Sequence, residues 1–219
     1  MTRVFAATIL LTSLAFADTA AERLQESANV MTEIMATSDR AIPQDLLQNA
    51  ECIVVVPGMK KGAFIVGANY GRGFVSCRKA TAGWSAPAAI RMEGGSVGFQ
   101  IGGSETDVVM LVLNKRGADK LMSSKFTLGG DASVAAGPVG RTSTAETDAL
   151  LHAEMLSWSR SRGVFAGISL KGATLREDKD TNEELYEKEL ETREIVTNTA
   201  VPEDAAPFLA VLNRYSARK

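Results

Sequence analysis

The chain has 219 residues, a formal net charge of −2, 45% apolar residues and only two cysteines. A near-neutral, slightly acidic balance excludes a general nucleic-acid binder, which needs a broad basic surface to displace counterions. The length suits one domain with a sizeable core, and no Pro/Ser-rich linker or charge block divides it.

Arg3 precedes an apolar run from Val4 to Ala17 that ends in Ala15-Phe16-Ala17, a small-x-small cleavage signature. Residues 1–17 therefore read as a secretory signal peptide, the run being shorter than the roughly 20 residues of a spanning helix. Cleavage near Ala17 leaves residues 18–219 as one exported domain, periplasmic or secreted. From Asp18, the residues Leu24, Ala28, Met31, Ile34 and Met35 recur at helical spacing with Glu22, Glu26 and Glu33 on other faces, so residues 18–42 begin with an amphipathic helix. Pro43 suits the first turn of a short second helix over Gln44 to Asn49. Cys52 to Val56 reads as a buried strand ended by Pro57-Gly58.

Short strands then alternate with glycine turns: Ala63 to Tyr70, Phe74 to Lys79, Trp84 to Met92, Val97 to Ile101 and Val108 to Leu113. A helix is expected over Lys115 to Met122, and strands at Phe126 to Ala136, Leu156 to Arg160 and Val164 to Leu170. Thr181 to Leu190 reads as a charged helix. Residues 203–217 read as a last helix with Phe208, Leu209 and Leu212 turned inward. The expected class is α+β: a curled, mostly antiparallel, Gly-rich sheet or barrel-like core covered by N- and C-terminal helices.

Several motifs invite chemistry. Gly94-Gly95-Ser96-Val97-Gly98 fits the G-x-S-x-G nucleophile elbow, and Asp131 or Asp148 with His152 completes the order Ser, Asp, His. An elbow needs a strand before it and a helix after it, whereas here the pattern continues as strand, so an esterase on Ser96 is the outlying reading. Glycines 94 to 103 miss the dinucleotide fingerprint, and no Gly-Lys-Ser/Thr closes a phosphate loop. Asp178, Asp180, Asn182 and Glu189 fall at positions 1, 3, 5 and 12 of a calcium loop, but Glu183 stands where the turn demands glycine. A solvated helix start is the better reading. No metal or other cofactor is expected, since zinc needs three or four clustered ligands and His152 is the single histidine.

Cys52 and Cys77 leave two readings open, a disulfide or two buried thiols. A bond would close a loop of about 25 residues and add roughly 3 kcal/mol by constraining the unfolded chain. The functional lead lies with the cations: Lys60 and Lys61 beside the Pro57-Gly58 turn, Arg72 between Gly71 and Gly73, and Arg160 with Arg162 at a strand end. Loops that pair cations with free backbone N–H groups can hold a phosphate.

The segments AECIVVVPG (50–58), GAFIVGANYGRG, GWSAPAAIRMEGGSVGFQIGGSETDVVMLVLN, LGGDASVAAGPVGR and SRSRGVFAGISLKGATL resemble, in order and spacing, the SYLF lipid-binding domain family that includes the yeast actin-patch SYLF proteins. The resemblance covers roughly residues 43 to 190. It implies binding of phosphoinositides or other anionic phospholipid, in some members of actin, through an N-terminal amphipathic helix and nearby basic residues; bacterial members look like envelope proteins. Leu24, Met31, Ile34 and Met35 are then the membrane-facing set, and Lys60, Lys61, Arg72, Arg160 and Arg162 the lipid-binding cations. The glutamates on this helix depart from that expectation. A second reading is a structural or protein-interaction module whose apolar helix face packs on the sheet or on a partner. Actin is not an expected partner of an exported chain unless it reaches a host cell.

Overall fold

The computed structural model describes residues 18–36, 41–63, 66–80, 82–97, 102–139, 153–161 and 164–216. The expected leader at residues 1–17 lies outside them. Thr19 and Glu22 form a reciprocal capping box: the Thr19 hydroxyl accepts from the Glu22 N–H at 3.2 Å, and the Glu22 carboxylate accepts from the Thr19 N–H at 2.9 Å. The Thr19 N–H, together with the Thr19 hydroxyl that also donates to this carboxylate at 2.9 Å, holds the exposed Glu22 carboxyl below its ordinary value. Helix α1 (Ala20–Ala36) follows, then α2 (Gln44–Asn49).

The sheet is built from β1 (Cys52–Ala63), β2 (Val66–Cys77), β3 (Ala88–Val97), β4 (Gly102–Val112), β5 (Lys125–Thr127), β6 (Val134–Ala136), β7 (Met155–Ser161), β8 (Val164–Gly167) and β9 (Thr174–Glu177). Its order is β5-β9-β3-β2-β1-β4-β7-β6, with β8 also on β7, and every pairing is antiparallel except β6 with β7. This order forces curvature. Strands β5 and β6 end opposite edges, which a flat sheet would place about 34 Å apart at ~4.8 Å per strand. Yet Thr127 and Val134 are seven residues apart, a reach of at most about 25 Å. The sheet therefore bends into a half-barrel, as the alternation of strands and glycines predicts.

Two cores lie on its two faces. On one, Leu24, Met31 and Ile34 of α1 pack with Ile53, Val55, Phe74, Val109, Trp158 and the inward side of the C-terminal helix α6 (Ala206–Ser216), which a 3-10 turn (Glu203–Ala205) precedes. On the other, Val54, Val56, Ile90, Met110 and Leu175 meet α3 (Lys115–Leu121) and α5 (Thr192–Asn198). Arg78 secures the end of α6, donating to the carbonyls of Leu47, Ala50 and Ser216 while stacking 4.0 Å over Trp84.

Several boundaries differ from expectation. Strand β1 does not end at Pro57-Gly58 but runs through it, because the pair forms a bulge opposite the single residue Asp107. A proline in a central strand is tolerated only where no ladder N–H is needed, and Gly58 takes φ +56°. The expected break between Tyr70 and Phe74 is absent, since β2 is continuous. Phe126 to Ala136 is two short strands around a turn, not one. Of the expected strand Val97 to Ile101, residues 98–101 lie outside the described residues. Strand β9 and helix α5 carried too few periodic residues to be read. The cysteines are bonded: Cys52 and Cys77 face each other across β1 and β2, with Cα atoms 4.0 Å apart.

Candidate functional site

The register places two of the predicted cations, Arg72 and Arg160, on one transverse strip of the face that carries α1 and α6, with Lys60 in the adjacent row. Directly opposed residues on antiparallel strands point to the same side. Arg72 opposes Arg91, Arg91 opposes Arg176, and Arg176 opposes Lys125, so a row of four cations crosses β2, β3, β9 and β5. Beyond the bulge the row continues to Asp107, which opposes Arg160 on β7. The adjacent row, nearer the hairpin tips, runs Thr174, Glu93, Tyr70, Lys60, Glu105. Strand β5 also borders an open groove of about 650 Å³, lined by Lys125, Arg116, Lys120, Ser123 and Asp131 among others.

The two halves of the strip are neutralised differently. On β7, Arg160 meets Asp107 through Nε at 2.9 Å and Nη2 at 2.8 Å, and also pairs with Glu33 of α1. Asp107 in turn accepts the Gly58 N–H that the bulge frees, at 2.9 Å. Burial pushes the Asp107 carboxyl up and the Gly58 N–H draws it down, while Glu26 and Glu105 push it further up. The Arg160 guanidinium thus sits among carboxylates and fastens α1 to the sheet.

Arg72 is held from the other side by α4 (Lys179–Tyr186). Its Nε lies 2.8 Å from Asp178, a side chain only 1% exposed, and its Nη2 donates to the same carboxylate at 3.1 Å. Asp178 and Asn182 continue the pairing of β3 where β9 stops: the Asp178 N–H donates to Ala89 O at 3.0 Å, and the Asn182 side chain accepts from the Ala89 N–H at 2.7 Å. The expected solvated helix start is therefore a helix start with a buried carboxylate. Among the described residues no cluster of His, Cys, Asp or Glu is arranged for a metal.

At Arg91 and Arg176 the balance changes. One carboxylate, Glu93, faces both guanidinium groups, with oxygens 3.6 Å from Arg91 Nε and 3.2 Å from Arg176 Nε. Neither Nε–H has a directed hydrogen bond. Lys125 is exposed at the end of the row. Three cations there face one carboxylate.

The other expected residues can now be placed. Lys60 and Lys61 are not on a turn but on β1 past the bulge, opposite Tyr70 and Asn69. Arg72 is not in a glycine cradle: a Cβ on Gly73 would lie 2.0 Å from Val55 O, so that glycine lets β2 approach the bulge. Arg162 lies outside the described residues. Leu24, Met31 and Ile34 are buried and Met35 half-buried against the same core, so this apolar face points inward and the exposed face of α1 is polar. Exposing those three buried side chains would cost about 1.5–3 kcal/mol each. Ser96 lies within a strand, opposite Gly67, and not at a strand-to-helix elbow. Asp131 closes a turn by accepting the Thr127 N–H at 2.8 Å, and Asp148 and His152 lie outside the described residues. Sequence reasoning missed Arg91, Arg176, Lys125 and Glu93, because only the strand order brings them together.

The sequence that forms this fold is similar to those of known proteins. Residues 93–215 match the family described as Ysc84, Las17-binding protein actin regulator. Over 181 residues the chain is 36% identical to the SH3 domain-containing protein PJ696.02 of Schizosaccharomyces pombe, a match spanning 80% of this chain and 42% of that one. Over 191 residues it is 33% identical to the SH3 domain-containing YSC84-like protein 1 of Rattus norvegicus, covering 85% and 56%. It is 34% identical over 180 residues to the LAS seventeen-binding protein 3 of Saccharomyces cerevisiae, covering 80% and 39%. The chain thus spans about half or less of the length of these relatives, which are named for binding and domain content and not for a reaction. With the family match over more than half the chain, and this identity through the strands that carry the strip, the protein belongs to the Ysc84/SYLF family.

Proposed function

We propose that this protein is a non-enzymatic binding module whose ligand is an anionic phospholipid surface of the cell envelope, reached after export by the leader at residues 1–17. The observation that carries the reading is the in-register row Arg72, Arg91, Arg176 and Lys125. Like charges directly opposed on neighbouring strands destabilise a sheet. A strip that keeps four of them, of which only Arg72 has a buried carboxylate partner, is best explained by an anion that meets the others. Lys60 extends the strip from the adjacent row. In this reading α1 stays packed, and lipid contact is electrostatic through the sheet and not insertive through the helix. The signature is therefore strong salt dependence, since screening at 0.1 M falls within about 10 Å.

Co-sedimentation of residues 18–219 with vesicles containing cardiolipin, phosphatidylglycerol or phosphoinositide tests the reading. Binding at low salt that fades with added salt is expected, and no binding to any of them at low salt would overturn it. A second reading, a protein-interaction module, is favoured by the inward packing of Leu24, Met31 and Ile34. A family described as Las17-binding is consistent with that reading. It predicts that lipid is ignored and that a protein partner is required.

A further inference from the structure

Within the cation row the guanidinium groups are not equally satisfied. Asp178 is buried and rigidly placed by its backbone bond to Ala89 and by the Thr181 hydroxyl, which donates to its carboxylate at 2.9 Å, so Arg72 keeps a directed bond from Nη2 to a fixed partner, although its Nε–H, like those of Arg91 and Arg176, has none. Glu93 is different. Its side chain is 38% exposed, it is shared between Arg91 and Arg176, and its oxygens stand 3.6 and 3.2 Å away without a directed hydrogen bond. Such exposed pairs contribute little, because solvent screens them. The Nε–H groups of Arg91 and Arg176 remain donors in search of an acceptor.

We propose that Glu93 is an internal stand-in for the ligand: it occupies the seat of a phosphate group between Arg91 and Arg176, and binding exchanges its carboxylate for that phosphate. This rests on the anionic-ligand reading and names its chemistry. A planar carboxylate spans the two guanidinium groups poorly, whereas a tetrahedral phosphate offers additional oxygens that can align with both Nε–H directions. Charge points the same way. With Glu93 displaced, Arg91 and Arg176 leave an excess of two positive charges between them. A terminal phosphomonoester carries about −1.5 to −2 at neutral pH and matches that excess, while a phosphodiester headgroup carries less. Glu93 thereby acts as a selectivity filter, excluding weakly charged anions that cannot displace it. No bond is made or broken, and the displaced carboxylate swings into solvent.

The experiment compares the full mature chain with Glu93→Gln, with Arg91→Gln/Arg176→Gln, and with Glu203→Gln, which removes the same charge from an exposed site on the 3-10 turn. Each is titrated with inorganic pyrophosphate, following the arginine Nε–H resonances by NMR. Each is also sedimented with phosphatidylcholine vesicles carrying either phosphatidic acid, a monoester, or phosphatidylglycerol, a diester. Glu93→Gln is expected to tighten phosphate binding about fivefold and to narrow the preference for monoester over diester, with Glu203→Gln changing binding less than twofold. The double arginine variant is expected to lose the Nε–H response. Tighter pyrophosphate binding by Glu93→Gln without vesicle binding by any form would keep the exchange and overturn the lipid reading. Vesicle binding that Glu93→Gln leaves unchanged or weakens would overturn the exchange and keep the lipid reading.

Discussion

The two halves of the strip use the same side chain to opposite ends. On β7, Arg160 is paired with two carboxylates, the partly buried Asp107 and the exposed Glu33, and its effect is mechanical: it ties α1 to the bulge of β1. On β3 and β9, Arg91 and Arg176 share one half-exposed carboxylate and leave two Nε–H groups without a directed partner. A guanidinium with a carboxylate of its own is structure, and one that must share a carboxylate has donors available to a ligand. Arg72 stands between the two, paired like Arg160 but aligned in the row with Arg91.

The sharpest way to break this division is at the bulge that separates the halves. Gly73→Ala places a Cβ 2.0 Å from Val55 O and 2.7 Å from Val56 Cα, backbone atoms of the central strand that have no room to yield. A loss of more than about 4 kcal/mol is expected, read as loss of the folded signal in urea titration. Asp178→Ala strips Arg72 of a buried partner. It should cost about 2–3 kcal/mol, less than a fully buried pair because Arg72 is 28% exposed, while it raises the affinity for phosphate by freeing another cation in the row. Stability and binding then move in opposite directions, which chemical denaturation and pyrophosphate titration together record. Arg160→Gln should cost about 1–2 kcal/mol and speed hydrogen exchange in α1, without weakening vesicle binding. Lys60→Gln, at an exposed strand position, should change stability by less than about 0.5 kcal/mol and reduce vesicle binding slightly.

Much of the scaffold was legible in the chain. The period of Leu24, Ala28, Met31 and Ile34 located α1, the run Cys52 to Val56 located the core of β1, and the glycine punctuation implied a curled antiparallel sheet. The meaning of the α1 period was less legible, because an apolar helix face looks the same whether it meets a bilayer or a sheet. Pro57-Gly58 read as a strand end because local sequence cannot distinguish a turn from a bulge until a partner residue, here Asp107, is known. Arg72 and Arg160 were visible as cations, but their neutralisation by Asp178 and Glu33 depends on pairs distant in sequence. Arg91 and Arg176 joined the site only through the order β9-β3-β2, which no periodicity encodes.

Vesicle co-sedimentation of Arg91→Gln/Arg176→Gln beside Arg160→Gln tests the division of the strip most directly. The account predicts that the double variant stays folded and loses binding to acidic vesicles by about tenfold or more, whereas Arg160→Gln binds within about twofold of the parent protein. The reverse order, with Arg160→Gln abolishing binding and the double variant binding normally, would contradict it.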